Sequence, residues 1–197
     1  MAEKRDLVFL WIDEGADGIF KGESVNFGSE YVFMVERVGE RLKLTAEPDT
    51  SYVPDFFSSQ DAPGSIANLT AFVGKNATGK TKLTKHIANL IDGWARFEYV
   101  STVRVTDESG AVSFEIFHSH SGGEGEREIS AIRRGVEEPD PPSPSLLDFD
   151  TNLGRFSLAL RCDLGKARAV YYSPITDFSN GDFRKSYPHY VDVSTNN

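Results

Sequence analysis

The sequence predicts an α/β protein in which an antiparallel β lobe precedes a strand, a tight turn and a helix, and three observations predict it. Apolar residues alternate with period two in several stretches on both sides of one central segment. Within that segment Leu83, Ile87, Leu90, Ile91 and Trp94 recur at the spacing of one helix face. A glycine-bounded turn joins this helix to the short apolar run before it. With 197 residues, 39 % of them hydrophobic, the chain can bury roughly 70 % of its extended surface, enough for one core and a small second lobe.

The elements follow in order. Leu7 to Ile12 and Glu30 to Glu36 are apolar or aromatic runs, and Arg41 to Thr45 alternates strictly, so all three predict strands of the antiparallel lobe, residues 1–65. Gly15, Gly18, Gly22 and Gly28 punctuate the connections. Glu47 to Ser65, rich in Pro, Asp, Ser and Gly, predicts a loop with Phe56 and Phe57 as its aromatic anchor. Residues 66–96 hold the buried strand Leu69 to Val73, the turn and the helix. In residues 97–197 the period returns to two. Phe97 to Val105 and Val112 to Phe117 predict a hairpin turning at Asp107 to Gly110, and Phe156 to Cys162 and Ala169 to Tyr172 predict two further strands. The proline-rich acidic stretch of about 119–145 predicts a mobile loop, and the tail after Ser179 a polar, irregular one.

The turn carries the chemistry. Gly74, Lys75, Asn76, Ala77, Thr78, Gly79, Lys80 and Thr81 fit Gly-x4-Gly-Lys-[Ser/Thr], the P-loop. Phosphate oxygens need several donors converging on a small concave volume, so the wrapping loop must carry little bulk where it bends. Gly74 and Gly79 supply that freedom, and the following helix adds its positive end. Lys80 reaches the β and γ phosphates in this reading, and the Thr81 hydroxyl takes one position on Mg²⁺. A chance match in a chain of this length has a frequency of about one in a hundred.

Phe72 to Thr81, with Asn76 inside the loop, resembles the ABC-type ATPases of the SMC/RecF/OLD group, although Ala77 stands where that group usually has glycine. Leu10-Trp-Ile12, Asn68 to Gly74 and Val170 to Asp177 are further similar to the N-terminal half of bacterial AAA family ATPases of phage-defence systems, retron and Septu types among them. The resemblance implies a P-loop NTPase core of ABC-ATPase type, of which 1–197 is the N-terminal part only. It implies ATP and Mg²⁺ as cofactors, Lys80 as the catalytic cation, a homodimer or higher oligomer formed through the nucleotide site, and an effector nuclease subunit as partner. It also implies adenine stacking on Phe20, Phe27 or Tyr31, help from Lys21 at the α phosphate, and Ser173 and Asp177 near the nucleotide. Each of those three rings is otherwise a core residue, and Lys21 an exposed lysine.

Parts of that family's pattern are missing. No aliphatic run ending in Asp-Glu follows the P-loop: Phe156 to Asp163 ends in Asp but alternates and lacks the Glu. The one glutamine, Gln60, precedes the loop, and Ser119 to Glu126 resembles the family's signature only as a glycine-rich turn. Hydrolysis is therefore expected only with elements from outside this chain. The alternative is a non-enzymatic interaction module that keeps the fold.

Charge narrows the classes. The net charge is −9, which argues against whole-surface binding to nucleic acid or an anionic membrane. Ile66 to Val105 holds six basic and two acidic residues, whereas Thr106 to Asp150 holds eleven acidic and three basic, so an anion site belongs in the first. A single cysteine, Cys162, and an apolar run of only six residues near the N-terminus predict a cytoplasmic protein with no membrane span. His118 and His120 share a predicted strand face but lack a third ligand, and read as solvated imidazoles. Lys85 and His86 read as the polar flank of the helix, and Asp107 to Gly110 as a hairpin turn.

Overall fold

The computed structural model describes residues 3–14, 18–39, 41–54, 56, 69–73, 79–91, 95, 97–118, 147–151, 156–158, 169–171 and 190–192. The chain divides into two compact units, one of Met1–Ala71 with Phe97–Arg161 and one of Phe72–Arg96 with Cys162–Asn197. The stretch 97–197 is thus shared between the units rather than forming a single segment.

The first unit contains two sheets. Strands β1 (Lys4–Glu14), β2 (Lys21–Asn26), β5 (Tyr99–Thr106), β6 (Val112–His118) and β8 (Phe156–Leu158) form one in the order β2-β1-β5-β6-β8. Strands β3 (Tyr31–Val38), β4 (Arg41–Pro48) and β7 (Leu147–Thr151) form the other in the order β3-β4-β7. Pairing is antiparallel except where β7 joins β4 and β8 joins β6, which are parallel.

The central strand explains its own composition. Val8 to Ile12 are all buried, so β1 is covered on both faces and reads as a continuous apolar run rather than an alternating one. Its register with β5 slips between Leu7 and Phe9, a bulge that accompanies the burial of both Val8 and Phe9 in one cluster. Strand β3, by contrast, alternates: Phe33 and Val35 are buried while Val32, Met34 and Val38 are exposed. The core between the sheets joins Phe9, Trp11, Val100, Phe114 and Ile116 to Phe33, Val35, Leu42, Leu44 and Ala46. Phe33 sits at its centre, with ring centroids 5.6 Å from Phe9 and 5.9 Å from Phe114.

The hairpin of β5 and β6 turns as its sequence demands. Asp107 Oδ1 accepts from the Ser109 and Ala111 amides at 2.8 and 3.0 Å, and Gly110 takes φ +86°, which a side chain resists. The second unit contains α1 (Lys80–Ile91) and the parallel pair β9 (Ala169–Tyr171) and β10 (Tyr190–Asp192).

Five expectations are corrected. Strand β2 was concealed because Lys-Gly-Glu-Ser-Val-Asn has no apolar stripe; it is an exposed outer strand held by its ladder to β1. Strand β10 lies in a tail whose polar sequence predicts none, and exists through its parallel partner β9. Leu69 to Val73 form no strand, and Leu69 and Val73 are 68 % and 93 % exposed. A five-residue apolar run makes no ladder of its own, so it becomes a strand only where a neighbouring strand pairs with it. Phe56 is 71 % exposed, and Phe57, the other half of the expected anchor, lies outside the described residues. The helix buries Thr84, His86, Ala88 and Leu90, while Leu83, Ile87 and Ile91 are half-buried, so burial wraps beyond the single predicted stripe.

Candidate functional site

Gly79 has φ +85°, a left-handed conformation that costs a residue with a Cβ about 1–2 kcal/mol. Its carbonyl accepts the first helical bond, from the Leu83 amide at 2.9 Å. The amides of Lys80, Thr81 and Lys82 therefore lie in the turn that has no intrahelical acceptors. Lys80 and Thr81 of the P-loop motif thus open α1, and both are half-buried.

Electrostatically this end is built against itself. A helix start favours anions, yet the first turn holds no acidic residue, and Lys80, Lys82 and Lys85 crowd the first turn and a half. An anion placed there would meet the positive end of the helix and lie near these lysines. The two threonines of this segment divide their roles. Thr84 Oγ1 donates back to the Lys80 carbonyl at 3.0 Å, whereas the Thr81 hydroxyl makes no hydrogen bond among the described residues. The donor set thus suits phosphate oxygens, with the Thr81 hydroxyl open to a hard cation.

Gly74, Lys75, Asn76, Ala77 and Thr78 lie outside the described residues, as do Gln60, the loop 119–145, His120, Asp163, Ser173 and Asp177. Of the proposed adenine partners, Phe20 is buried, and Tyr31 packs its ring on Phe114 with centroids 5.5 Å apart at 87°. Those positions are the core alternative read from the sequence. Lys21 is exposed, at the start of β2. His86 and His118 are 8 % and 4 % exposed, which corrects the reading of both as solvated polar positions. Each lies on an element whose neighbours cover it, which no local pattern announces. Among the described residues no group of three or more His, Cys, Asp or Glu could hold a metal, and no helix is long and apolar enough to cross a membrane.

Trp11, Asp13, Lys21, Gly22, Val35 and Arg37 line a cavity in the first unit. No motif singles out Trp11 or Arg37 for this, because three separate strands bring them together. No family model, curated protein or solved structure matches the chain.

Proposed function

We propose that this chain is the Mg²⁺-ATP-binding part of an ABC-type ATPase, of the kind that serves bacterial anti-phage defence. The observation that carries the reading is a left-handed Gly79 leading Lys80 and Thr81 of a complete Gly-x4-Gly-Lys-Thr motif into a helix start crowded with lysines. The amides of residues 75–81 would cradle the phosphates, and the Lys80 ammonium would neutralise charge on the β and γ groups. The Thr81 hydroxyl would hold Mg²⁺, which supplies further charge neutralisation when bound. Water-activating carboxylate and signature elements would come from outside this chain, with nucleotide-driven pairing of two copies controlling an effector nuclease in a cytoplasmic complex.

Calorimetry with ATP tests the assignment. Lys80→Ala is expected to remove measurable affinity while circular dichroism stays unchanged, and unaltered affinity would refute the role of Lys80. The wild-type chain alone is expected to release little phosphate; rapid release would mean that the catalytic carboxylate lies within it.

A second reading has its own observation in favour. Residues 69–73, where a P-loop protein needs a core strand, are not assigned to a strand and are mostly exposed, as in an interaction module with no use for nucleotide. A change of oligomeric state with ATP separates the two, since only the ATPase reading requires one.

A further inference from the structure

The cavity between β2 and β3 has a volume of about 440 Å³, within the range of small ligand sites, and lies wholly in the first unit. Two strand edges border it. On β3, the Phe33 amide and carbonyl are both taken by the Asn26 carboxamide, at 2.8 and 2.9 Å. The Tyr31 amide and carbonyl are both taken by the Ser29 hydroxyl, at 3.1 and 2.7 Å. Antiparallel ladders turn alternate residues toward the partner strand. These bonds therefore show that odd-numbered positions of β3 turn their backbone away from β4. Val35 and Arg37 do the same with no side chain to cap them, and among the described residues nothing takes their outward amides and carbonyls.

The facing edge follows the same logic. The Phe27 amide bonds the Val8 carbonyl at 2.9 Å, so Gly22 and Ser24, in the same ladder, turn outward from β1. Strand β2 is the outer strand of its sheet and β3 of the other. Asn26 and Ser29 thus close the gap at one end and leave it open at the other.

The open end gathers donors. Trp11 lines the cavity, and its indole N–H makes no hydrogen bond among the described residues and is not one of the fully buried unpartnered groups, so it is open to a ligand there. The indole nitrogen lies beside Gly22, from which a Cβ would be 3.9 Å away. Lys21 and Arg37 add two cations; Arg37 pairs with Asp13, the one acid in the lining, and Glu23 bonds the Lys21 amide at 3.2 Å.

We propose that this cavity takes an extended acidic peptide, which pairs its backbone with the β3 edge at Val35 and Arg37 and sets a carboxylate on the Trp11 N–H and the Lys21 ammonium. A small anion would meet the cations and leave both edges unpaired. A neutral strand would pair the edge and leave the indole N–H and the Lys21 ammonium to water. A backbone bearing a carboxylate meets the β3 edge and both donors at once, which is the chemistry of strand addition. The proposal does not depend on nucleotide binding.

The test uses the full chain with Trp94→Phe, which leaves Trp11 as the only indole. Pentapeptides with a central Asp between β-branched residues, acetyl-Thr-Val-Asp-Val-Thr-amide first among them, are titrated by tryptophan emission and by calorimetry. A saturable change in emission is expected, weakened about tenfold or more by Asp→Asn in the peptide or by the surface substitution Lys21→Gln in the protein. Methylating alternate peptide amides should abolish it. Equal binding of the methylated peptide, or the same response to sodium acetate, would overturn the proposal in favour of a simple anion site. Absence of both heat and emission change across the peptide set would overturn it outright. So would sedimentation as a dimer that no peptide dissociates, because a second copy would then hold the edge.

Discussion

Among single residues, Gly79 and Asp6 make the sharpest predictions. Gly79→Ala places a Cβ on a left-handed backbone at the helix start and should lower stability by about 1–2 kcal/mol in denaturant titration. If the nucleotide reading holds, ATP affinity should fall with it. Asp6 is a buried carboxyl whose pKa is raised, first by loss of hydration and only partly offset by Lys4 at 3.6 Å and by Arg104. Because the folded-state value lies above the unfolded one, the native state holds the proton more tightly, and stability falls as pH rises through that window. Asp6→Asn should therefore unfold at higher denaturant than wild type at pH 7. The advantage should vanish near the ordinary aspartate range, about pH 4. An unchanged difference at both pH values would contradict it. The burial of Asp6 was not legible locally: it sits in a charged N-terminal stretch and is covered in the fold, where β1 pairs with β5 at Arg104. The positive φ of Gly79 was legible, because the motif has little use for any other residue there.

Elements differ in how much of their cause is local. The β5–β6 turn is local: Asp107, Ser109 and Gly110 satisfy one another, and Asp107→Ala should cost about 1–2 kcal/mol in thermal unfolding through loss of its bonds to the Ser109 and Ala111 amides. Strand β3 depends on side chains from outside it. Asn26→Ala would strip both caps from Phe33 and expose the edge, so a loss of about 1–3 kcal/mol is expected, together with concentration-dependent association by light scattering. Retained stability and a monomer at all concentrations would show that the cap is dispensable. The helix was legible from its 3.6 period over Leu83 to Ile91, while Gly93 and Trp94, where its last turn is expected, lie outside the described residues. Its burial pattern was not, because how far a covering surface wraps around a helix is decided by that surface.

For the molecule as a whole, the inter-sheet core is the main store of stability. Phe33→Ala, at the centre of three aromatic contacts, should cost about 3–5 kcal/mol by chemical denaturation. The strands that supply this core were mostly legible: β1, β3, β4, β5 and β6 each carry an apolar run or an alternation that survives any neighbour. The start of α1 at Lys80, directly after a glycine of positive φ, was likewise readable, since Gly79, Lys80 and Thr81 stand together in sequence. What the sequence by itself determined is whatever short-range sterics and periodicity control: the helix, the hairpin turn, and the left-handed glycine at the helix start. Only the tertiary structure decided the rest. Polar β2 and short β7 and β10 exist because a neighbour supplies their ladder, and Leu69 to Val73, although apolar, is not assigned to a strand. The cavity of Trp11, Lys21 and Arg37 is drawn from three strands, and backbone pairing of this kind is a property of two segments that neither one encodes alone.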